Sequence, residues 1–340
     1  MARRTTTRSR TKKESRILDS LMAETNGGGS PESVPGFNVF RAATAGFNTS
    51  YVSGPTVLNA QPDGGFYSSK AMVTVGDEPP FVPKPENVIG ADNRVRVNDT
   101  AMTPWRCICH LEVQYDRGPV SAGTGFFVGE DLIVTAAHVL VDRSYYGWEK
   151  PPRRATRVRV VPGRNGSLAP YGVFVCEIPC HDEDNDDDDC MIPSIWMECG
   201  REKEDEAHRN DYAAIRIPDR VQKAHLGNRL GYFGIKDVIA ADNFDGDMLF
   251  VNTAGFPQTP DKPYGTLWYN AGRTSAFEDN CFVEYMVDTE GGQSGSPIYF
   301  YDKKKDQRYV IAIHTTGDFF NRGVLITGKV FDDIKRWANR

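Results

Sequence analysis

The sequence has 340 residues with a formal net charge of −6, and 39% of its residues are hydrophobic. This length allows one large domain with extensions or two domains, and the composition is that of an ordinary globular protein. The charge gives no reason to expect a nucleic-acid partner. No apolar run approaches the roughly 20 residues that cross a bilayer, so a membrane partner is not expected either.

The first 86 residues differ in composition from the rest of the chain. Residues 1–30 are basic, rich in Ser and Thr, and end in a glycine run, a pattern that predicts a disordered tail. Residues 31–86 hold scattered apolar residues and end in a proline-rich stretch, which predicts a pro-segment or N-terminal extension with a short strand at residues 71–75. The start lacks the apolar core of about 7–15 residues that a secretory signal requires, so the localisation stays open.

From residue 88 onward, short β-branched and aromatic runs alternate with turn residues, which is typical of strands. Strands at this spacing predict an all-β barrel or sandwich. In residues 328–340, Val330, Ile334 and Trp337 recur at helical spacing and predict one amphipathic helix at the C-terminus. The predicted strands are residues 107–113, 125–128, 132–135, 157–161, 213–217, 248–252, 297–301, 309–314 and 323–327.

Three residues carry the chemistry that the sequence suggests. Ser294 lies among glycines in residues 291–297, where main-chain N–H groups can form a pocket for a negative oxygen. A serine hydroxyl is a weak nucleophile, so it requires a base with an orienting partner. His138, which ends one apolar run, and Asp211, which precedes another, supply both. Taken singly, the three have ordinary structural explanations as a turn, a packed histidine and a cap.

In the order His138, Asp211 and Ser294, these residues match the chymotrypsin-like serine proteases. Longer segments resemble one branch of that family, the glutamyl endopeptidases. The likeness runs from about residue 87 to the C-terminus and does not include residues 1–86. The matching segments are residues 88–94, 104–106, 162–166, 170–172, 231–234, 288–297 and 321–327.

The resemblance implies two six-stranded β-barrels with the active site in the cleft between them. Ser294, from the second barrel, would attack the scissile carbonyl. His138, from the first, would act as base and then as acid, and Asp211 would fix its tautomer. The backbone N–H groups of Gly292 and Ser294 would form the oxyanion hole. The chemistry requires no cofactor and no metal, and we expect a monomer that acts on proteins or peptides.

The family pattern also gives a substrate pocket. Thr289 and His314 match the residues that contact a substrate glutamate, and Thr315, Thr316 and Gly317 continue the strand that would run alongside the substrate. A hydroxyl and an imidazole N–H both donate to a carboxylate, and charge-assisted hydrogen bonds are strong. The sequence therefore predicts a serine endopeptidase that cuts after acidic residues, chiefly glutamate.

Two alternatives stay open. Asp288 lies six residues before Ser294, where trypsin-like enzymes carry the aspartate that binds Lys or Arg, so cleavage after basic residues is the first. The second is a protease-like binding module whose cleft is occluded by residues 1–86. No triad position carries a substitution, which favours the enzyme.

The junction between the pro-segment and the protease domain, residues 87–340, suggests how the enzyme matures. Glu86 precedes the position where the family's mature chain starts, so a glutamate-specific enzyme could cut its own chain there. In trypsin-like zymogens the freed amino terminus pairs with an aspartate immediately before the nucleophile. Gln293 occupies that position here, so that ion pair is not available.

The sequence departs from the family in two places. The cysteines that commonly bracket the catalytic histidine are replaced by Gly123 and Val139. An acidic insertion at residues 181–189 fails the EF-hand pattern, and we predict a solvated surface loop. The cysteines around it would form disulfides in a secreted protein and stay thiols otherwise; they are Cys176, Cys180, Cys190 and Cys199.

Overall fold

The computed structural model describes residues 73–74, 88–89, 91–143, 150–178, 189–219, 225–240, 248–317 and 320–339. All of them fall within one compact unit, residues 43–340. The predicted tail, most of the predicted pro-segment, the cleavage site at Glu86 and nearly all of the acidic insertion lie outside the described residues.

Strands are the main regular elements of the described structure, and they form two eight-stranded sheets and one two-stranded sheet. The all-β prediction is therefore confirmed. In chain order the described strands are β1 (Val73–Thr74), β2 (Val95–Arg96), β3 (Ile108–Tyr115), β4 (Ser121–Phe127), β5 (Leu132–Thr135), β6 (Val141–Asp142), β7 (Arg153–Pro162), β8 (Leu168–Ala169), β9 (Phe174–Glu177), β10 (Cys190–Met191), β11 (Ala213–Arg216), β12 (Gly234–Ile235), β13 (Phe250–Gly255), β14 (Trp268–Glu278), β15 (Phe282–Tyr285), β16 (Pro297–Asp302), β17 (Gln307–Gly317) and β18 (Asn321–Leu325).

Helices are short and connect the strands. They are α1 (Ala137–Leu140), α2 (Ser194–Glu198), α3 (Glu204–Arg209), α4 (Leu226–Leu230) and α5 (Gly328–Ala338), with 3-10 turns at Trp105–Cys107 and Arg201–Lys203. The last helix confirms the amphipathic helix predicted from the C-terminal spacing. In the described part of the chain, no helix has the length and apolar character needed to cross a bilayer.

The first sheet takes its strands from residues 108–216. They pair in the order β10-β11-β5-β4-β3-β7-β6, and β9 adds to β7. Every pairing in this sheet is antiparallel. The pairings of the described residues leave the sheet open, so it forms a half-barrel.

The second sheet closes on itself. Its strands pair in the order β12-β17-β16-β13-β14-β15-β18, and β17 also pairs with β18, which closes a six-stranded barrel. Fully buried side chains from its strands fill the interior, among them Val251, Val283, Ile298 and Ile311. The two sheets meet where β13 of the barrel contacts β3 and β4 of the first sheet.

Each of the nine predicted strands overlaps an observed one, and residues 132–135 coincide with β5. Two strands of the closed barrel, β14 and β15, were not predicted. β14 includes Gly272 and Arg273, alternates irregularly between buried and exposed residues, and shifts register against β15 between Thr274 and Ala276. This irregularity hides the two-residue period by which a strand is recognised in a sequence.

The C-terminal helix α5 stabilises the chain around Asp211. The Tyr212 hydroxyl donates to Asp333 at 2.6 Å, and the Trp337 ring lies 5.8 Å from the Tyr212 ring. Burial alone would raise the pKa of Asp333, but hydrogen bonds from Lys329, Tyr212 and other donors outweigh it and lower the net value. The helix therefore fixes the residue that follows Asp211.

Candidate active site

The pairing of β5 with β11 brings His138 and Asp211 together. Ala213 lies opposite Thr135 in this antiparallel pair, so the residues just beyond the two strand ends meet. Asp211 Oδ2 lies 2.7 Å from His138 Nδ1, and Asp211 Oδ1 accepts the His138 backbone N–H at 2.9 Å. Because Asp211 is buried and both of its oxygens contact His138, it fixes the orientation of the ring and favours the tautomer that carries its proton on Nδ1.

The Ser294 loop, residues 288–296, contacts the first sheet at Thr124 of β4. The Thr124 backbone N–H donates to the Ser294 carbonyl at 2.9 Å, and the Thr124 hydroxyl donates to the Gly292 carbonyl at 2.9 Å. These bonds hold the loop of the closed barrel against the strand that pairs with β5.

Gly295 allows Ser294 to lie close to the strand that leads to His138. Its φ angle is +85°, in the left-handed region, and a Cβ there would lie 2.1 Å from Thr124 O and 2.2 Å from Thr135 Oγ1. Only glycine fits this contact. Thr135 lies three residues before His138. Gly295 therefore determines how closely the Ser294 loop approaches the segment that carries His138.

Gly123 and Val139, the two positions at which the family resemblance implies cysteines, lie in direct contact. A Cβ on Gly123 would lie 2.8 Å from Val139 Cγ1, which is closer than carbon atoms pack. Val139 therefore fills the space beside Gly123. The packing of this branched side chain on the glycine joins the two segments that a disulfide would otherwise connect. The contact lies beside the site, since the same Cβ would be 3.4 Å from the Ser294 carbonyl oxygen.

The two peptide groups that precede Gly292 and Ser294 are both held through their carbonyls. Gln258 N–H donates to Gly291 O at 2.7 Å, and Ser296 donates to Gln293 O from its backbone N–H at 2.9 Å and from its hydroxyl at 2.6 Å. In a planar trans peptide the N–H points away from the C=O. The N–H groups of Gly292 and Ser294 therefore point away from these donors. Gly292 has φ +96°, which permits this turn.

The predicted pocket residues lie next to the Ser294 loop. Gly295 N–H donates to His314 O at 2.7 Å and His314 N–H donates to Ser296 O at 2.9 Å, so β17 runs beside the loop. His314 and Thr289 are both 0% exposed. The Tyr285 hydroxyl lies 2.6 Å from His314 Nδ1. The Thr289 hydroxyl is buried and has no hydrogen-bond partner in the described protein.

The rest of the predicted pocket strand is less enclosed. Thr315 is buried, Thr316 is exposed and Gly317 is half-buried. The pairing of β17 with β18 shifts register between His314 and Thr316, a β-bulge of the kind that re-aims side chains beside active sites.

The Asp288 carboxylate accepts hydrogen bonds from the chain that precedes the first sheet. Its Oδ1 accepts the Ile89 N–H at 2.7 Å and its Oδ2 accepts the Asn93 N–H at 3.1 Å. Asp288 is 1% exposed, and burial raises its pKa above the ordinary value, although the two N–H donors act in the opposite direction. Both oxygens therefore bind the protein's own backbone.

The structure brings His138 into contact with Asp211, and it joins the Ser294 loop to the segments that hold His138 and His314. Four further residues that support the site were not identified from the sequence: Arg94, Thr124, Gln258 and Tyr285. Arg94 lies in a segment that carried the family resemblance, and the other three show no pattern in the sequence. Cys199 is a free thiol, and Cys180 lies outside the described residues, so the disulfide-tied insertion stays a prediction.

Comparison with known proteins agrees with this geometry. Residues 123–305 match the family model of the trypsin-like peptidase domain. A glutamyl endopeptidase of Bacillus licheniformis is 30% identical over 261 residues, 75% of this chain and 70% of the relative. An extracellular metalloprotease of Bacillus subtilis is 31% identical over 261 residues, 76% of this chain and 71% of the relative. Among the residues that the structure describes, no group of three or more His, Cys, Asp and Glu side chains is placed to hold a metal ion.

Solved structures show the same fold. A Glu endopeptidase in complex with MPD superposes with a TM-score of 0.55 at 22% identity, covering 75% of this chain and all (100%) of that one. A thermostable serine protease, AL20, from an extremophilic microorganism has a TM-score of 0.52 at 13% identity, covering 68% of this chain and 96% of that one. The predicted chymotrypsin-like fold is therefore confirmed. The chain is a serine endopeptidase that acts on proteins or peptides, and it belongs to the glutamyl endopeptidase family of trypsin-like peptidases.

Proposed function

We propose that this endopeptidase uses His138, Asp211 and Ser294 as its catalytic triad and cleaves peptide bonds after glutamate. The observation that carries the glutamate preference is the buried Thr289 hydroxyl, which has no protein partner, next in sequence to an Asp288 carboxylate that already has two. The protease domain would be residues 87–340, released from a pro-segment of residues 1–86 by a cut after Glu86.

The triad chemistry follows from the His138–Asp211 contact. Asp211 holds the proton on Nδ1, which leaves His138 Nε2 as the base. Ser294 Oγ adds to the scissile carbonyl carbon while Nε2 takes its proton, and the same proton then goes to the leaving amine as the C–N bond breaks. Water, deprotonated by His138, hydrolyses the acyl-enzyme and restores Ser294.

The oxyanion hole would be formed by the N–H groups of Gly292 and Ser294. Because Gln258 and Ser296 hold the two carbonyls, both peptide groups are oriented before the substrate binds. Among the described residues, no protein acceptor takes the Gly292 N–H. Such preoriented donors stabilise the negative oxygen of the tetrahedral intermediate without reorganisation.

The pocket would select glutamate by its hydrogen-bond donors. We assign the proton of the Tyr285 hydroxyl to the bond with His314 Nδ1, so His314 carries its own proton on Nε2 and donates it to the substrate. Thr289 supplies a second donor. Two donors compensate the desolvation of a buried carboxylate, whereas the NH₂ of glutamine would face them as a third donor.

A preference for Lys or Arg finds less support. It would require a carboxylate of Asp288 that faces the substrate, yet both of its oxygens accept backbone N–H groups of Ile89 and Asn93. Asp288 is also 1% exposed, so its carboxylate would have to be uncovered before it could bind a basic side chain.

Cleavage of a peptide library tests the proposed function. We expect the full-length protein, or the form that begins at Asn87, to cut after glutamate, and Ser294→Ala to cut nowhere. A fluorophosphonate should label Ser294 in the active form. Cuts after Lys or Arg, or cuts that persist in Ser294→Ala, would contradict the proposal.

The substitution Thr289→Val tests the pocket. Since the Thr289 hydroxyl has no protein partner, its removal should leave the free energy of unfolding nearly unchanged. Loss of one charge-assisted bond to the substrate should lower kcat/KM on glutamyl peptides by about 10- to 100-fold. The matched control is Thr253→Val on β13, which also removes a buried hydroxyl without a partner. Equal kcat/KM in the two variants would exclude Thr289 from the pocket.

The substitution Gly292→Ala tests the oxyanion hole. Its Cβ would lie 2.5 Å from Phe256 O at φ +96°, so the peptide group must rotate. We expect kcat to fall by about 100-fold or more with KM little changed, as measured by initial rates. The control is Gly166→Ala, at φ +62° with nothing within 4 Å of its Cβ. The control should lose only about 1 kcal/mol of stability and keep its kcat; a matching loss of kcat there would refute the assignment.

A further inference from the structure

The chain immediately before the first sheet makes hydrogen bonds with three side chains of the Ser294 loop. Residues 89–94 contact Asp288, Glu290 and Gln293, which are half of the six residues that precede Ser294. β2, which follows this segment, pairs with β14 of the closed barrel through Val95 and Tyr269. The segment is therefore anchored on the barrel that carries Ser294.

Arg94 is the centre of these contacts. Its side chain is 0% exposed. Nη1 donates to Gln293 Oε1 at 2.7 Å, and Nη2 contacts the Glu290 carboxylate. Asp92 binds the same guanidinium in the bidentate manner, with Nε to Oδ1 at 2.9 Å and Nη2 to Oδ2 at 2.8 Å. The planar guanidinium thus bridges one residue of its own segment and two of the Ser294 loop.

The ion pair has further support. Lys262 Nζ donates to Asp92 Oδ2 at 2.7 Å, and the Thr259 hydroxyl donates to Glu290 Oε2 at 2.9 Å. The hydrogen bond from Arg94 holds the pKa of Asp92 well below its usual value. Burial would lower the pKa of Arg94, but its bonds to Asp92 and Glu290 outweigh that and raise the net value. Both groups therefore stay charged over the neutral range in which a histidine base operates.

Gln293 transmits this contact to the backbone around Ser294. Its Oε1 accepts the Glu290 N–H at 3.0 Å as well as the Arg94 bond. Its N–H donates to Glu290 O at 3.0 Å, and its carbonyl accepts both donors of Ser296. The position of the Gln293 side chain is thus coupled to the peptide group that carries the Ser294 N–H.

We infer that Arg94 is a positioning residue for the Ser294 loop: held by Asp92, it fixes Gln293 and Glu290 and so orients the two N–H groups assigned to the oxyanion hole. The inference rests on the proposed function in taking Ser294 as the nucleophile. On this inference the Asp92–Arg94 pair stabilises the Ser294 loop. In trypsin-like enzymes the freed amino terminus does so by pairing with the aspartate immediately before the nucleophile. Lysine should not replace Arg94, because an ammonium cannot reach three partners in one plane.

Hydrogen exchange and kinetics of the full-length protein test the inference together. The variants are Arg94→Gln, Arg94→Lys and Gln293→Met, and exchange is measured by mass spectrometry in the Ser294→Ala background to avoid self-cleavage. The matched control is Arg164→Gln. The Arg164 side chain is likewise 0% exposed, and it pairs with Glu112 of the first sheet at 2.7 Å.

Each of the three variants should speed exchange of the amides in residues 290–296 and lower kcat by about 100-fold with KM little changed. Arg164→Gln should lower the free energy of unfolding without either effect. Because Arg94 and Gln293 act in one chain of hydrogen bonds, the double variant Arg94→Gln, Gln293→Met should lose clearly less activity than the product of the two single losses.

Unchanged exchange in residues 290–296 for both Arg94 variants, or additive losses of kcat in the double variant, would overturn the inference. The exchange result does not depend on substrate preference. An enzyme that cut after another residue would contradict the proposed glutamate specificity, while the exchange of the Ser294 loop would still decide the role of Arg94. If Arg94→Gln does not fold, Arg94→Lys and Gln293→Met carry the same comparison.

Discussion

The site depends on the hydrogen bonds of one buried residue, Thr124. Its N–H and hydroxyl hold the carbonyls of Ser294 and Gly292, its hydroxyl also accepts the Phe256 N–H at 3.0 Å, and its carbonyl accepts the Thr135 hydroxyl at 2.7 Å. Thr124 thus joins the half-barrel, the closed barrel and the strand that leads to His138. A backbone contact of this kind is hard to displace, because every group in it would be left buried without a partner. This junction therefore positions the segments that carry the functional side chains.

Around the site the charged groups hold structure, whereas the proposed pocket would supply hydrogen-bond donors to the substrate. The carboxylates of Asp92, Asp288 and Glu290 all bind groups of the protein, and the guanidinium of Arg94 is shared among three acceptors. The proposed pocket instead offers neutral donors on Thr289 and His314. Neutral donors bury at lower cost than a fixed cation when the pocket is empty. A substrate glutamate would supply the negative charge, and the donors proposed on Thr289 and His314 would hydrogen-bond to its carboxylate.

The sequence was sufficient to predict the fold class, nine of the described strands, the terminal helix and the family. His138, Asp211 and Ser294 could be selected because each lies next to an apolar strand in a known order. β14 escaped prediction because its bulge and Gly272 break the alternation. The partners of Arg94 and Asp288 lie about 200 residues away in sequence, as the separations of 199 between Arg94 and Gln293 and between Ile89 and Asp288 show. No local pattern encodes such pairs, so only the folded chain reveals that Asp288 faces backbone N–H groups and that Arg94 holds the Ser294 loop.

A crystal structure of the enzyme with a glutamyl phosphonate bonded to Ser294 would test the central claim most directly, since the phosphoryl oxygen mimics the tetrahedral intermediate. The account predicts that this oxygen accepts the N–H groups of Gly292 and Ser294 at about 2.7–3.1 Å. It also predicts that the glutamate carboxylate contacts Thr289 Oγ1 and His314 Nε2 while Asp288 keeps its bonds to Ile89 and Asn93. A carboxylate directed to solvent, or an Asp288 released from those bonds to face the substrate, would contradict it.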